Sequence, residues 1–297
     1  MSEKPTEART GAIHDIGYRR YEGPRLGTSY IQRSLFVETL RGAYGLGRSA
    51  RSKVMPFLLL GVMVLPAVVM GIVTSYFGSS SLPVRYPEYV IQLQVTVTIF
   101  LGSQSPAVMS RDLRYRVASL YFSRPLSRRQ YVQAKYAAMT VALFILIGLP
   151  TTLLLAGALL AELPLSEQLP DYLRAMAGAA IYAVVLAGIG LVVAALTPRR
   201  GLGVAAVVGV LLVLSGFQIA VSEMAAEFGS NTFLAYTGLI SPYTLVDGVV
   251  TGVLGAESSI GQGPPGALGA AVFAAVTVLV VAGCYAALVV RYRKALS

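Results

Sequence analysis

The sequence predicts an all-α, polytopic membrane protein with six transmembrane helices and both termini in the cytoplasm. Three observations carry that prediction. Hydrophobic residues make up 55% of the 297 and charged residues 13%, where soluble domains carry roughly 25% charge; mean hydropathy is +0.67. Apolar runs of bilayer length recur along the chain. Between them, segments rich in Arg and Lys alternate with segments that have almost none; after Arg200 the next basic residue is Arg291.

Each span is set by length. About 20 apolar residues, rising 1.5 Å each, cross a hydrocarbon core of roughly 30 Å. Six stretches qualify: 55–77, 89–109, 131–161, 173–196, 202–221 and 267–290. They make a transmembrane domain over 55–290, preceded by a cytoplasmic segment, 1–54, and followed by a short tail, 291–297. Lys135 and Arg174 fall near span ends, where long side chains reach the interface. Pro66 and Pro150 lie inside spans, where neighbouring helices can re-satisfy the freed backbone groups.

Charge sets the orientation. The segment 1–54, the connection 110–130 with Lys135, the 197–201 turn and the tail hold 22 basic and six acidic residues. The other three connections hold Arg85, Arg174 and eight acidic residues. Lys and Arg are retained on the cytoplasmic side, so the first group is expected inside. No apolar leader occurs in the first fifty residues, so no cleavable signal peptide is expected. A net charge of +10 distributed this way points to anionic lipid of the cell membrane rather than to nucleic acid.

Two cytoplasmic stretches have their own pattern. Over 28–53, Ile31, Leu35, Phe36 and Leu40 recur at helical spacing with Arg33 and Arg41 off the stripe. This suits an amphipathic helix before the first span, lying in the inner headgroup layer or packed on a partner. Between spans two and three, Leu113, Val117, Leu120 and Tyr121 form one helical stripe flanked by Arg111, Arg114 and Arg116. Pro125 ends that helix, and Ser127 with Gln130 forms a capping box that starts the third span. Such a unit is joined rigidly to two membrane helices.

The outer connection 222–266 carries Glu223 and Glu227, four residues apart, as a candidate outer gate or simply a solvated acidic face. Gln92, Gln94, Gln104 and Gln218 either line a polar path or bond between helices, and bonding between helices is the expected role of any single one. Gly71, Gly188 and Gly190 are expected to permit close helix approach.

Chemistry is mostly excluded. His14 is the one histidine and Cys284 the one cysteine, so no metal site, cofactor site or catalytic group is expected. No GxxxxGK[ST] loop occurs, so the chain is not expected to hydrolyse ATP. The spans lack the central ionisable residues of proton or ion relays.

The stretch from Ser110 to Gln130 resembles the segment after the second span in type-2, exporter-class ABC transporter permeases. Ser110, Arg111 and Asp112 match its opening; Ser123, Pro125, Leu126, Ser127 and Arg128 match its close, and Lys135 matches a later lysine. The middle departs, with Arg114, Arg116, Val117 and Ser119 where the family has an acidic residue, a Gly-Thr pair and a Glu. Ser241-Pro242-Tyr243 with Asp247 and Gly248 is similar to a Ser-Pro motif before the family's last span. The opening from Ile13 to Pro24 resembles actinobacterial permeases. The resemblance implies a coupling helix, with Arg111, Asp112, Arg114, Arg116, Leu120, Pro125 and Arg128 facing a separate ATP-binding cassette ATPase subunit. It also implies a second permease chain, identical or not, export of a small amphiphilic or drug-like compound, and an outer segment that re-enters the membrane. The alternative is a polytopic scaffold that holds a partner on its basic face without transport.

Overall fold

A computed structural model describes residues 23, 26–79, 81–109, 126–197, 199–229, 231–259 and 263–294. Among these the secondary structure is helical throughout. The elements are α1 (Thr28–Ala43), α2 (Ala50–Phe77), α3 (Tyr86–Gln92), α4 (Gln94–Val108), α5 (Arg128–Leu160), α6 (Leu165–Leu196), α7 (Arg200–Glu227), α8 (Asn231–Tyr236), a 3₁₀ turn (Thr237–Leu239), α9 (Pro242–Leu254) and α10 (Gly266–Lys294).

Five helices, α2, α5, α6, α7 and α10, are long and apolar enough to cross a membrane. A sixth crossing is reached if the bent pair formed by 231–239 and α9, at 117°, counts as one span. Apolar helices of this length suit a bilayer because every backbone group except those at the ends is bonded within the helix. The chain is therefore read as a multi-pass membrane protein. The predicted second span, 89–109, is built differently from the others. It breaks at Leu93 (φ −101°, ψ 17°) into α3 and α4. Alone, the 15 residues of α4 rise about 22 Å, too short for the core; the seven of α3 add about 10 Å.

Polar contacts show that this broken pair runs the length of the bundle. At the α3 end, Tyr86 donates to Gln168 Oε1 of α6 at 2.9 Å, and Arg85 pairs with Glu257 beyond α9. At the α4 end, Val108 and Met109 meet the start of α5 and the end of α10. Arg128 at the start of α5, Lys135 and Arg291 thus share one end with the C-termini of α4, α6 and α10.

Burial separates centre from periphery. Within the most apolar 18-residue stretch, 61% of residues are buried in α6 and 17% in α7 and α10. Helix α4 is buried along most of its length, from Thr96 to Val108, and α9 is buried without interruption from Pro242 to Val250. The latter begins at Ser241, whose hydroxyl accepts from the Tyr243 amide at 3.4 Å, with Pro242 in the first turn where a missing N–H costs nothing. It ends at Gly255 in the left-handed region (φ 68°), which glycine enters without a Cβ penalty.

Helix α1 starts at Thr28, and its apolar stripe turns onto this same chain. Leu35 is buried, with Ile31, Phe36 and Leu40 packed against the main core. Just past it, Tyr44 donates to the carbonyl of Ala142 in α5 at 2.7 Å. Burial pushes the Tyr44 hydroxyl well above its ordinary value, so it remains a donor across the working pH range. The stripe is consumed by α5 and leaves the polar face, with Arg33, Glu38 and Arg41, lining an open groove.

Gly71 of α2 and Gly157 of α5 let those two backbones meet. A Cβ on Gly71 would lie 2.8 Å from the Gly157 Cα, and a Cβ on Gly157 would lie 2.6 Å from the Gly71 Cα. Gly188 and Gly190 are likewise covered, the first by Tyr136 and Cys284, the second by Leu101 and Ser105. The expectation of close helix approach at these glycines matches the packing.

Candidate functional site

Of the residues expected to face a partner, Arg111, Asp112, Arg114, Arg116, Leu120 and Pro125 lie outside the described residues. Arg128 is described and stands exposed at the first position of α5. What the structure does define is how the 110–125 segment is held at both edges.

At the far edge, the capping box forms as the sequence predicts. The Gln130 amide donates to the Ser127 hydroxyl at 3.2 Å, and the Ser127 amide donates to Gln130 Oε1 at 2.9 Å. Two amides that a helix start leaves without partners are thereby satisfied. Leu126, immediately before the cap, is buried in the main core.

At the near edge, Val108 and Met109 are buried in that core too. Lys135, one turn into α5 beyond Tyr131, is only 4% exposed. Its ammonium donates to the Val108 carbonyl at 2.5 Å and sits 5.0 Å from the centre of the Tyr131 ring. A buried cation is costly unless compensated. Here the compensation is the C-terminal end of α4, where unpaired carbonyls and the helix dipole both favour positive charge, with a cation–π contact added.

The far end of the chain joins this cluster. The Tyr131 and Tyr292 rings lie 5.2 Å apart, and the Tyr292 hydroxyl is 3.1 Å from Met109 Sδ. Arg291 donates to the Ala195 carbonyl of α6 at 3.3 Å. Lys135 stood out in the sequence but was expected to reach the interface, whereas the fold buries it against the end of α4; Tyr131 and Tyr292 did not stand out, because nothing local distinguishes them from other interfacial tyrosines.

The second candidate region is at the other end of the bundle. Glu223 lines a cavity of about 450 Å³ between α7, the 3₁₀ turn, α9 and α10. Glu227 is exposed and does not line it, so the two glutamates expected as a pair are separated. In its place the fold brings Asp247 of α9 into the same cavity. Asp247 is 4% exposed and accepts from Ser258 Oγ at 3.1 Å and the Ser259 amide at 3.4 Å. A lone acid within the apolar run of α9 was the available signal.

The wall behind this cavity is hydrogen-bonded to α4. Tyr243 lies 2.6 Å from the Thr98 hydroxyl and donates to the Gln94 carbonyl at 3.1 Å. Tyr182 of α6 donates to the Tyr243 carbonyl at 2.9 Å. The glutamines depart from expectation. The Gln92 and Gln104 side chains bond to Glu88 and Ser103, neighbours on their own helices, rather than across helices.

Among the described residues no group of three or more His, Cys, Asp or Glu could hold a metal ion. No protein-family model matches this chain, and no curated protein matches it.

Proposed function

We propose that this chain is the membrane-spanning permease subunit of an ATP-binding cassette exporter in the cell membrane, moving a small amphiphilic or drug-like compound. ATP hydrolysis belongs to a separate subunit that docks on the 110–125 segment, and a second permease chain completes the unit. One observation supports this reading above the rest. The residues flanking the segment, Val108, Met109 and Leu126, are buried in one core, with Lys135 capping α4 and the exposed Ser127 box starting α5.

Force on those flanking residues is carried directly into α4 and α5. From α4 the contacts continue through Thr98 to Tyr243, and so to α9 and the cavity beside Asp247. Closure of two ATPase subunits against the segment is thus transmitted across the bundle to the opposite end. Each step is a packed or hydrogen-bonded contact, and coupling along it is measurable by double-mutant cycles.

The test is co-purification from native membranes. Arg111→Glu and Leu120→Asp each remove the ATPase subunit from the complex while membrane insertion stays intact. Retention of a stoichiometric ATPase subunit by both variants, or its absence from the wild-type preparation, refutes the proposal.

A further inference from the structure

The cavity beside Asp247 has the composition of a recognition site rather than of a packing defect. Glu223 and Asp247 both line it. Neither has an ion-pair partner among the described residues, and none of the lining residues is Arg or Lys. Asp247 uses two of its roughly four acceptor positions on Ser258 and Ser259, which are neutral donors.

Gln218 is the second, independent sign. Its side chain is on the wall, only 7% of the residue is exposed, and its carboxamide has no hydrogen-bond partner among the described residues. The residue is mostly enclosed, yet it lines the cavity with no protein partner for its amide, so that amide is available to the polar arm of a ligand. Thr237 and Thr244 add hydroxyls, and the Phe273 ring completes the wall. A volume of about 450 Å³ falls within the range that holds small organic ligands. It is far larger than a bare ion needs.

From these features we propose that the cavity binds an organic cation. An ammonium group is held between Asp247 and Glu223, its donor or polar arm satisfies Gln218, and its apolar or aromatic body lies against Phe273, where a ring face favours positive charge. Calling this ligand the transported compound rests on the exporter reading; the binding itself does not.

The experiment uses the full chain in nanodiscs of zwitterionic phosphatidylcholine, with no ATPase subunit present. Ethidium, a fluorescent aromatic cation, is titrated and its anisotropy recorded. The expected result is saturable binding near one ethidium per chain. Glu223→Gln weakens it several-fold, and Asp247→Asn and Gln218→Leu each weaken it about tenfold or more, as loss of a desolvated partner does. A neutral phenanthridine of the same ring system does not compete. Glu223 is exposed, so E223Q keeps the test open even where D247N harms folding. Purely linear partitioning, equal affinity in E223Q and wild type, competition by the neutral ring, or displacement by millimolar calcium each overturns the assignment. Saturable binding by a chain that never captures an ATPase subunit sinks the exporter reading and leaves the cation site standing.

Discussion

Replacing Gly157 with alanine isolates the cost of parting α2 from α5. The new Cβ would lie 2.6 Å from the Gly71 Cα, whereas carbon atoms rest about 3.5–4.0 Å apart. The obstacle is backbone on both sides, so no side chain can swing away and the helices must separate by about 1 Å. Overpacking of this kind costs about 1–3 kcal/mol. Alanine also gains about 0.5–1 kcal/mol of helix propensity over glycine, which Gly61→Ala supplies as a control. Gly61 is on α2 and a Cβ there meets nothing within 4 Å. The difference between the two variants therefore reports the overpacking alone. At about 2–4 °C per kcal/mol, G157A melts about 2–12 °C below G61A. The assay is thermal unfolding in detergent followed with a thiol-reactive coumarin that fluoresces on reaching Cys284, the one cysteine and partly buried. Gly71→Ala gives a similar loss, and the double variant loses less than the sum because one gap accommodates both methyls. Equal melting points for G157A and G61A refute the close approach.

Four further outcomes are expected. Ser127→Ala removes the cap acceptor and costs about 0.5–2 kcal/mol, read as a lower melting point that Ser127→Asp largely restores. Lys135→Met keeps the volume but leaves the Val108 carbonyl without its charged donor, costing about 1–3 kcal/mol, read as a lower melting point than the wild type. Tyr243→Phe deletes the hydroxyl shared by Thr98 and the Gln94 carbonyl and costs about 1–2 kcal/mol, with a Thr98→Val cycle showing strong non-additivity. For orientation, Cys284→Ala carriers with Glu257→Cys or Arg129→Cys, both at exposed sites, are treated with an impermeant thiol reagent. The first labels on intact cells and the second only after permeabilisation, and the reverse pattern overturns the predicted topology.

How much was legible in advance differs between elements. The long helices α2, α5, α6, α7 and α10 were found from apolar run length, because a span must satisfy its own backbone whatever surrounds it. The Ser127–Gln130 box was found from four letters, because both bonds close within one turn. The start of α1 at Thr28 and its apolar stripe were visible too, but not the surface that receives the stripe. The break at Leu93 was not visible, since 89–109 reads as one apolar run and neither a glycine nor a proline marks the kink. Gln92 and Gln104 depart from the expected bonds between helices because composition cannot say whether a side chain reaches its own helix or the next.

Residue order by itself therefore determined which stretches form long apolar helices and where one of them is capped, since those outcomes depend on neighbours a few positions away. Only the tertiary structure decided that Glu223, Gln218 and Asp247 line one cavity without Glu227, that Tyr292 reaches Met109, and that Gly71 meets Gly157. Those juxtapositions bring together different helices, with residues up to 183 positions apart. Their partners are chosen by how helices pack against one another, and a one-dimensional pattern carries no distance between helices.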